Sequence, residues 1–129
     1  MVYLIDTNII VRFLVGDNEE LFKKSLRIFE KIEEGEIIVE ILPSVLMEVY
    51  FVLTKFYKID RIDVIQDLKK ILSLKGVIGE KIILYETLNI LEKKSIDFVD
   101  ALICVKVKFQ NYKYLSFDKD IEKGLNIIN

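Results

Sequence analysis

Four acids stand where a carboxylate could do chemistry. Asp6 directly follows the apolar run VYLI, and Asp118 follows YLS within two residues. Glu48 interrupts PSVLMEVYFVLTKFY, residues 43–57, where its neighbours three and four positions away are Ser44, Val45, Phe51 and Val52. No lysine or arginine can pair with it locally. An ionised carboxylate buried there without a partner would cost several kcal/mol, so Glu48 needs either solvent or a distant cation. Asp100 lies in FVDALICVKV, near the start of another apolar segment. If these acids converge, they cannot all stay ionised without compensation, because like charges raise one another's pKa. A divalent cation resolves the conflict. All-oxygen ligands select Mg2+ or Mn2+ over zinc or copper. Such an ion activates water and neutralises charge on a phosphodiester.

Two counts narrow the chemistry further. The chain contains no histidine and a single cysteine, Cys104. Histidine bases, Ser-His-Asp triads, Cys-His dyads, cysteine-based zinc sites and an internal disulfide framework are therefore excluded. A plainer reading exists for each aspartate. Asp6, Asp97, Asp118 and Asp120 all stand at helix starts, where a short acid caps the first turn, and Asp100 suits a first-turn position favoured by the helix dipole.

The elements that must position these acids follow from periodicity. VYLI (2–5) is a short buried strand, and Asp6-Thr7-Asn8 starts a helix through IIVRFLV. Residues 18–34 place Leu21, Leu26, Ile28, Phe29 and Ile32 among charges, which predicts an amphipathic helix ending at Gly35. IIVEIL (37–42) is a second strand, and residues 43–57 are a helix opened by Pro43. Asp60 opens a further amphipathic helix ending near Gly76, and GVIG is a short extended piece. Residues 80–94 are helical, and Ser95-Ile96-Asp97 starts a helix through FVDALICVKVKFQ. There the alternation of VKVKF favours a strand, but the length of the segment favours helix. YKYLS (112–116) is a strand, FDKDIEKG a turn and short helix, and NII a possible last strand. Strands alternating with helices imply an α/β fold with a central, mostly parallel sheet. In such sheets the ligand crevice lies beyond the carboxyl ends of the strands, where Asp6 and Asp118 fall.

The bulk numbers fit one domain over residues 1–129. Apolar residues make up 52% and charged residues 31%, and 19 bases against 21 acids leave a net charge of −2. That is not a generally basic nucleic-acid binder, though local basic contacts around an acidic centre remain compatible with it. No apolar run reaches the length of a membrane span and no signal-peptide pattern opens the sequence, so a cytoplasmic protein with no membrane attachment is expected.

At these residues the sequence resembles the PIN-domain family, in particular the single-domain VapC ribonuclease toxins. YLIDTNIIVRFL resembles the family's first motif, SVLMEVYFVL its second, FVDALICVKV its third and YLSFDKDI its last. The four stand in the family's order and cover essentially the whole chain. The resemblance implies a Rossmann-like three-layer α/β/α sandwich and Mg2+- or Mn2+-dependent hydrolysis of RNA to 5′-phosphate products. It implies Asp6, Glu48, Asp100 and Asp118 as catalytic metal ligands, with Asn8 and Ser116 as supporting polar groups. Asp97 and Asp120 would stand in support of the metal shell. It also implies a homodimer and a small cognate antitoxin. Arg12, Lys106 and Lys108 are candidate contacts to the RNA backbone, although solvation alone accounts for any one of them.

Two other functions compete. A non-catalytic PIN-like module binding RNA or protein would lack acids, and this chain keeps all four. An Asp-nucleophile phosphatase or phosphoacceptor domain would want a second acid two residues after the first, where this chain has Asn8.

Overall fold

The computed structural model describes residues 1–128. The chain divides into two compact units, the first Met1–Lys81 and the second beginning at Ile82.

The first unit is built on a three-stranded parallel sheet. Strands β1 (Val2–Leu4), β2 (Ile38–Glu40) and β3 (Val77–Ile78) lie side by side in that order. Val2 pairs with Ile38, Leu4 with Glu40, and Val39 with Val77. Parallel neighbours need crossover connections, which here are helical. Helices α1 (Thr7–Val15) and α2 (Glu19–Glu34) connect β1 to β2. Helix α3 (Pro43–Phe51), a π-helical turn (Val52–Phe56) and α4 (Arg61–Leu72) connect β2 to β3.

The helix ends follow the sequence signals. Asn18 caps α2 by accepting from the Leu21 amide at 3.0 Å, and Asp60 caps α4 by accepting from Ile62 at 3.2 Å. Gly35 closes α2 with a φ of 79°, a left-handed conformation that glycine adopts without steric cost. Helix α1 packs on α2 and α3, with the Phe13 and Phe29 rings stacked at 4.2 Å. Ile10, Ile32, Leu46, Val49, Ile65 and Leu68 are fully buried at the centre.

The long helix expected over residues 43–57 changes hand-hold at Val52. The Tyr57 amide donates to the Val52 carbonyl at 3.1 Å, a five-residue step rather than four. The Thr54 hydroxyl donates to the Tyr50 carbonyl at 2.7 Å and so competes for the backbone ladder there. Lys58, left-handed at φ 58°, then ends the segment.

The second unit is helical among the described residues. It contains α5 (Lys81–Lys93) from Ile82 onward, α6 (Phe98–Phe109) and α7 (Asp120–Ile128), with α6 packed on α7. VKVKF belongs to α6, as its length implied. Buried Gly124 of α7 faces the Cys104 thiol of α6, which donates to the Ile121 carbonyl at 3.2 Å. Burial first, and the nearby Asp100 charge second, push that thiol up to about 11, so it stays protonated at neutral pH.

Two expected strands are absent from this unit. YKYLS (112–116) is irregular and exposed. It is fixed by turns at both ends: left-handed Asn111 and a Tyr112 amide bonded to the Val107 carbonyl close α6, and the Ser116 hydroxyl accepts from the Asp118 amide. The NII segment lies in α7 as far as Ile128. Ile121 and Gly124 bury one face at helical spacing, and that period overrides the short β-branched run.

Candidate active site

The second unit gathers three carboxylates. Asp100 stands in the first turn of α6, Asp120 is the first residue of α7, and Asp118 lies just before α7. Each offers an oxygen, and the three oxygens lie within 4.8 Å of one another. Local hydrogen bonds set this arrangement. The Asp120 amide donates to Asp118 Oδ1 at 2.9 Å, and the Asp118 amide donates to the Ser116 hydroxyl at 2.9 Å. Ser116 therefore shapes the turn that presents Asp118. Asp120 also meets Lys123 Nζ at 3.5 Å, one helical turn on.

Electrostatics mark Asp100 as the group under most pressure. Burial pushes its carboxyl above the usual aspartate range, and the charges of Asp118, Asp97 and Asp120 push it further in the same direction. Asp97 is the residue before α6, and its side chain makes no capping hydrogen bond. The cap role expected of it is thus absent, and its effect is electrostatic. Asp120 stands with Asp100 and Asp118 in the carboxylate group. The signal for this was present in DKD: an acid capping a helix and an acid opening it share one turn.

Asp6 and Glu48 lie in the first unit. Asp6 is the N-cap of α1, with its Oδ1 accepting from the Thr7 amide at 2.8 Å, and it borders a hollow lined by Tyr3, Leu4, Ile9 and Val39. Asn8 is exposed in the first turn of α1. Glu48 is exposed on α3, sharing the open side with Ser44 and Phe51, while Leu46, Val49 and Tyr50 are buried.

The PIN domain model matches residues 3–124. The chain belongs to the PIN-domain family. No curated protein and no solved structure matches it. PIN domains are typically nucleases, and the α/β fold with its parallel sheet is the one this family implies.

In this PIN domain the acid group fits a hard divalent cation. An octahedral Mg2+ holds oxygens at about 2.1 Å, so its ligand atoms stand up to about 4.2 Å apart. The donors are all carboxylate oxygens, with no sulfur or imidazole among them. Of the expected basic contacts, Lys106 and Lys108 stand in the last turn of α6. Arg12 of the PIN domain pairs with Asp17 at 3.3 Å, and Asp17 also accepts from the Tyr57 hydroxyl at 3.1 Å. The structure thus gives Arg12 a part in tying α1 to the following turn. No helix among the described residues is long and apolar enough to cross a membrane.

Proposed function

We propose that this chain is a Mg2+- or Mn2+-dependent endoribonuclease, acting as the toxin of a toxin–antitoxin pair. The observation that carries the reading is the carboxylate group of Asp100, Asp118 and Asp120 in a chain matched by the PIN model over residues 3–124. Asp100 and Asp118 hold the cation, with Asp120 beside them, and Asp6 and Glu48 are required for the same reaction. When bound, the cation supplies a more acidic water and neutralises charge on the phosphodiester.

The residues supply the rest. Ser116 and the Asp120 amide fix Asp118, so its carboxylate is oriented before substrate arrives. Asp100 and Asp120 lie in the first turns of α6 and α7, where helix dipoles favour negative charge. Glu48 accepts a proton from the attacking water. The water oxygen bonds to phosphorus, the bond to the 3′-oxygen breaks, and that oxygen takes a proton from solvent, so the products carry a 5′-phosphate and a 3′-hydroxyl. Lys106 and Lys108 contact the RNA backbone, and Arg12 supports the scaffold that carries Asp6 and Asn8.

The partner side of the proposal has its own support. A groove of about 250 Å3 in the first unit is lined by Phe13, Leu14, Phe29, Ile71 and Leu74, with three acids, Glu30, Glu33 and Asp67, against one base, Lys70. An apolar antitoxin helix carrying basic residues complements it. A single cytoplasmic domain working as a homodimer completes the reading.

The test is a cleavage assay on structured and unstructured RNAs, with Mn2+ or EDTA, using the full chain. Cleavage is expected with Mn2+ alone. Asp6→Asn and Glu48→Gln are each expected to lower its rate by about a hundredfold or more. EDTA-resistant cleavage, or full activity in both variants, sinks the proposal. RNA bound but never cut favours the non-catalytic module.

A further inference from the structure

We infer that the Asp17 carboxylate, held between Arg12 and the Tyr57 hydroxyl, is a latch that sets the rotation of α3 on α1 and so aims Glu48. Asp17 and Tyr57 are then positioning residues that act through Glu48. The inference rests on the nuclease reading for the role of Glu48 and adds what fixes its direction.

The need for a latch comes from α3 itself. Its sequence PSVLMEVYF carries one charge, Glu48, with apolar residues on the open side as well as the buried one. Burial of apolar surface has no direction, so it holds such a helix against its neighbours without choosing one rotation about its axis. Helix side chains end about 5–6 Å from the axis, so turning α3 by about 10° moves the Glu48 carboxylate by about 1 Å. A displacement of about 1 Å in a reacting geometry costs about a hundredfold in rate.

The groups that choose the rotation stand where the two helices end. Strands β1 and β2 are parallel neighbours, and α1 and α3 start just past their carboxyl ends. Both helices therefore leave the same edge of the sheet, and they pack on each other. Asp17 follows Gly16, the cap of α1, and Tyr57 follows the π-helical turn that continues α3. Asp17 Oδ2 accepts from the Tyr57 hydroxyl at 3.1 Å, and Asp17 Oδ1 meets Arg12 Nη1 at 3.3 Å. The bond to Tyr57 joins positions 40 residues apart.

The π-helical turn brings Tyr57 round to that acceptor. A five-residue step holds one residue more than a four-residue step, and each residue of an α-helix turns the chain by about 100°. Unbroken α-helical spacing would carry Tyr57 to another face. The Thr54 hydroxyl, donating to the Tyr50 carbonyl, supports the wider step. Exposed ion pairs and hydrogen bonds add little to stability, so losing the latch should cost rate and spare the fold.

The test uses the full chain, with cleavage rate measured against RNA concentration in Mn2+. Tyr57→Phe should lower kcat about tenfold, leave KM within about twofold, and lower the melting temperature by less than about 3 °C. Asp17→Ala should do the same, and the double variant should be no worse than either. In the Glu48→Gln background Tyr57→Phe should cost no further rate. Unchanged kcat in Tyr57→Phe overturns the inference. So does a loss that persists in full in the Glu48→Gln background, or one matched by a melting temperature lower by about 10 °C. A second measurement needs no activity. Nitroxides attached after Glu48→Cys and Lys24→Cys, in a chain with Cys104→Ala, report the distance between α3 and α2 by pulsed EPR. Tyr57→Phe should broaden that distance distribution, and an unchanged distribution overturns the latch whatever happens to RNA. A wild-type chain that cuts no RNA, with the distribution broadened by Tyr57→Phe, sinks the nuclease reading alone.

Discussion

Asp100→Asn is expected to do two opposite things: cut Mn2+-stimulated RNA cleavage by about a thousandfold, and raise the melting temperature of the metal-free protein at neutral pH. The first effect follows if Asp100 is a ligand of the cation that drives phosphoryl transfer. The second follows from its surroundings. Burial and the charges of Asp118, Asp97 and Asp120 hold the native carboxyl above the ordinary value of 3.8. The folded chain therefore binds this proton more tightly than the unfolded chain does. Its contribution to stability is fully present below the unfolded value and is lost as pH rises through the native value. At neutral pH the ionised group opposes folding. The α6 dipole favours the charge by about 0.3–1 kcal/mol, yet the shift is upward, so burial and repulsion outweigh it. Asparagine keeps the shape and removes the charge. Added Mn2+ should reverse the order, because wild type gains stability by binding it and the variant gains little. Melting curves in EDTA and in Mn2+, at about pH 5 and about pH 7.5, check this. If Asp100→Asn lowers stability in EDTA, Asp100 is a structural acid. If Mn2+ stabilises both proteins equally, it is not a ligand.

The sequence carried most of this architecture in its caps and periods. Asn18, Gly35, Asp60 and the charges between Leu21 and Ile32 set the ends and faces of α2 and α4, because these signals act within one helical turn. Residues 112–116 and the NII run misled because β-branched and aromatic composition states a preference, whereas a strand exists only when a partner strand completes its ladder. In α7 the helical spacing of Ile121 and Gly124 decided the outcome. The π-helical turn at Val52–Phe56 depends on one hydroxyl, that of Thr54, reaching a carbonyl, which periodicity does not register. In the site, Asp100 and Asp118 were legible as acids, and the structure brings an oxygen of each together with one of Asp120, although the strand expected before Asp118 is absent. The exposure of Glu48 was not legible, because α3 is apolar on its open side as well, where Phe51 stands 38% exposed. A hydrophobic pattern with no polar face cannot say which side meets water.

Gly76→Ala should destabilise the protein by about 3 kcal/mol or more, the largest stability loss expected for a single added methyl group. The φ of Gly76 lies outside the left-handed region, so the cause is space rather than backbone conformation. A Cβ there would run into the Ile37 carbonyl oxygen, and would meet the Ile32 carbonyl oxygen at 2.7 Å and the Ile32 Cα at 3.2 Å. All three are backbone atoms, so no side chain can turn aside. Gly76 also joins two elements. Its amide donates to the Ile32 carbonyl near the end of α2, and its carbonyl accepts from the Val39 amide in β2, both at 2.8 Å. Moving the strand to admit the methyl breaks one or both bonds, and a buried group left unpaired costs about 1–3 kcal/mol. For a chain of this size the melting temperature should fall by about 10 °C. Gly124→Ala is the control. Its Cβ meets the Cys104 sulfur, the end of a short side chain, and alanine returns up to about 1 kcal/mol of helix propensity. Its loss should be the smaller, and should shrink further when Cys104→Ala removes the sulfur. Equal losses at the two glycines would show that the backbone around Gly76 yields as readily as one thiol. The close approach of α2, β2 and β3 would then not be what fixes the sheet.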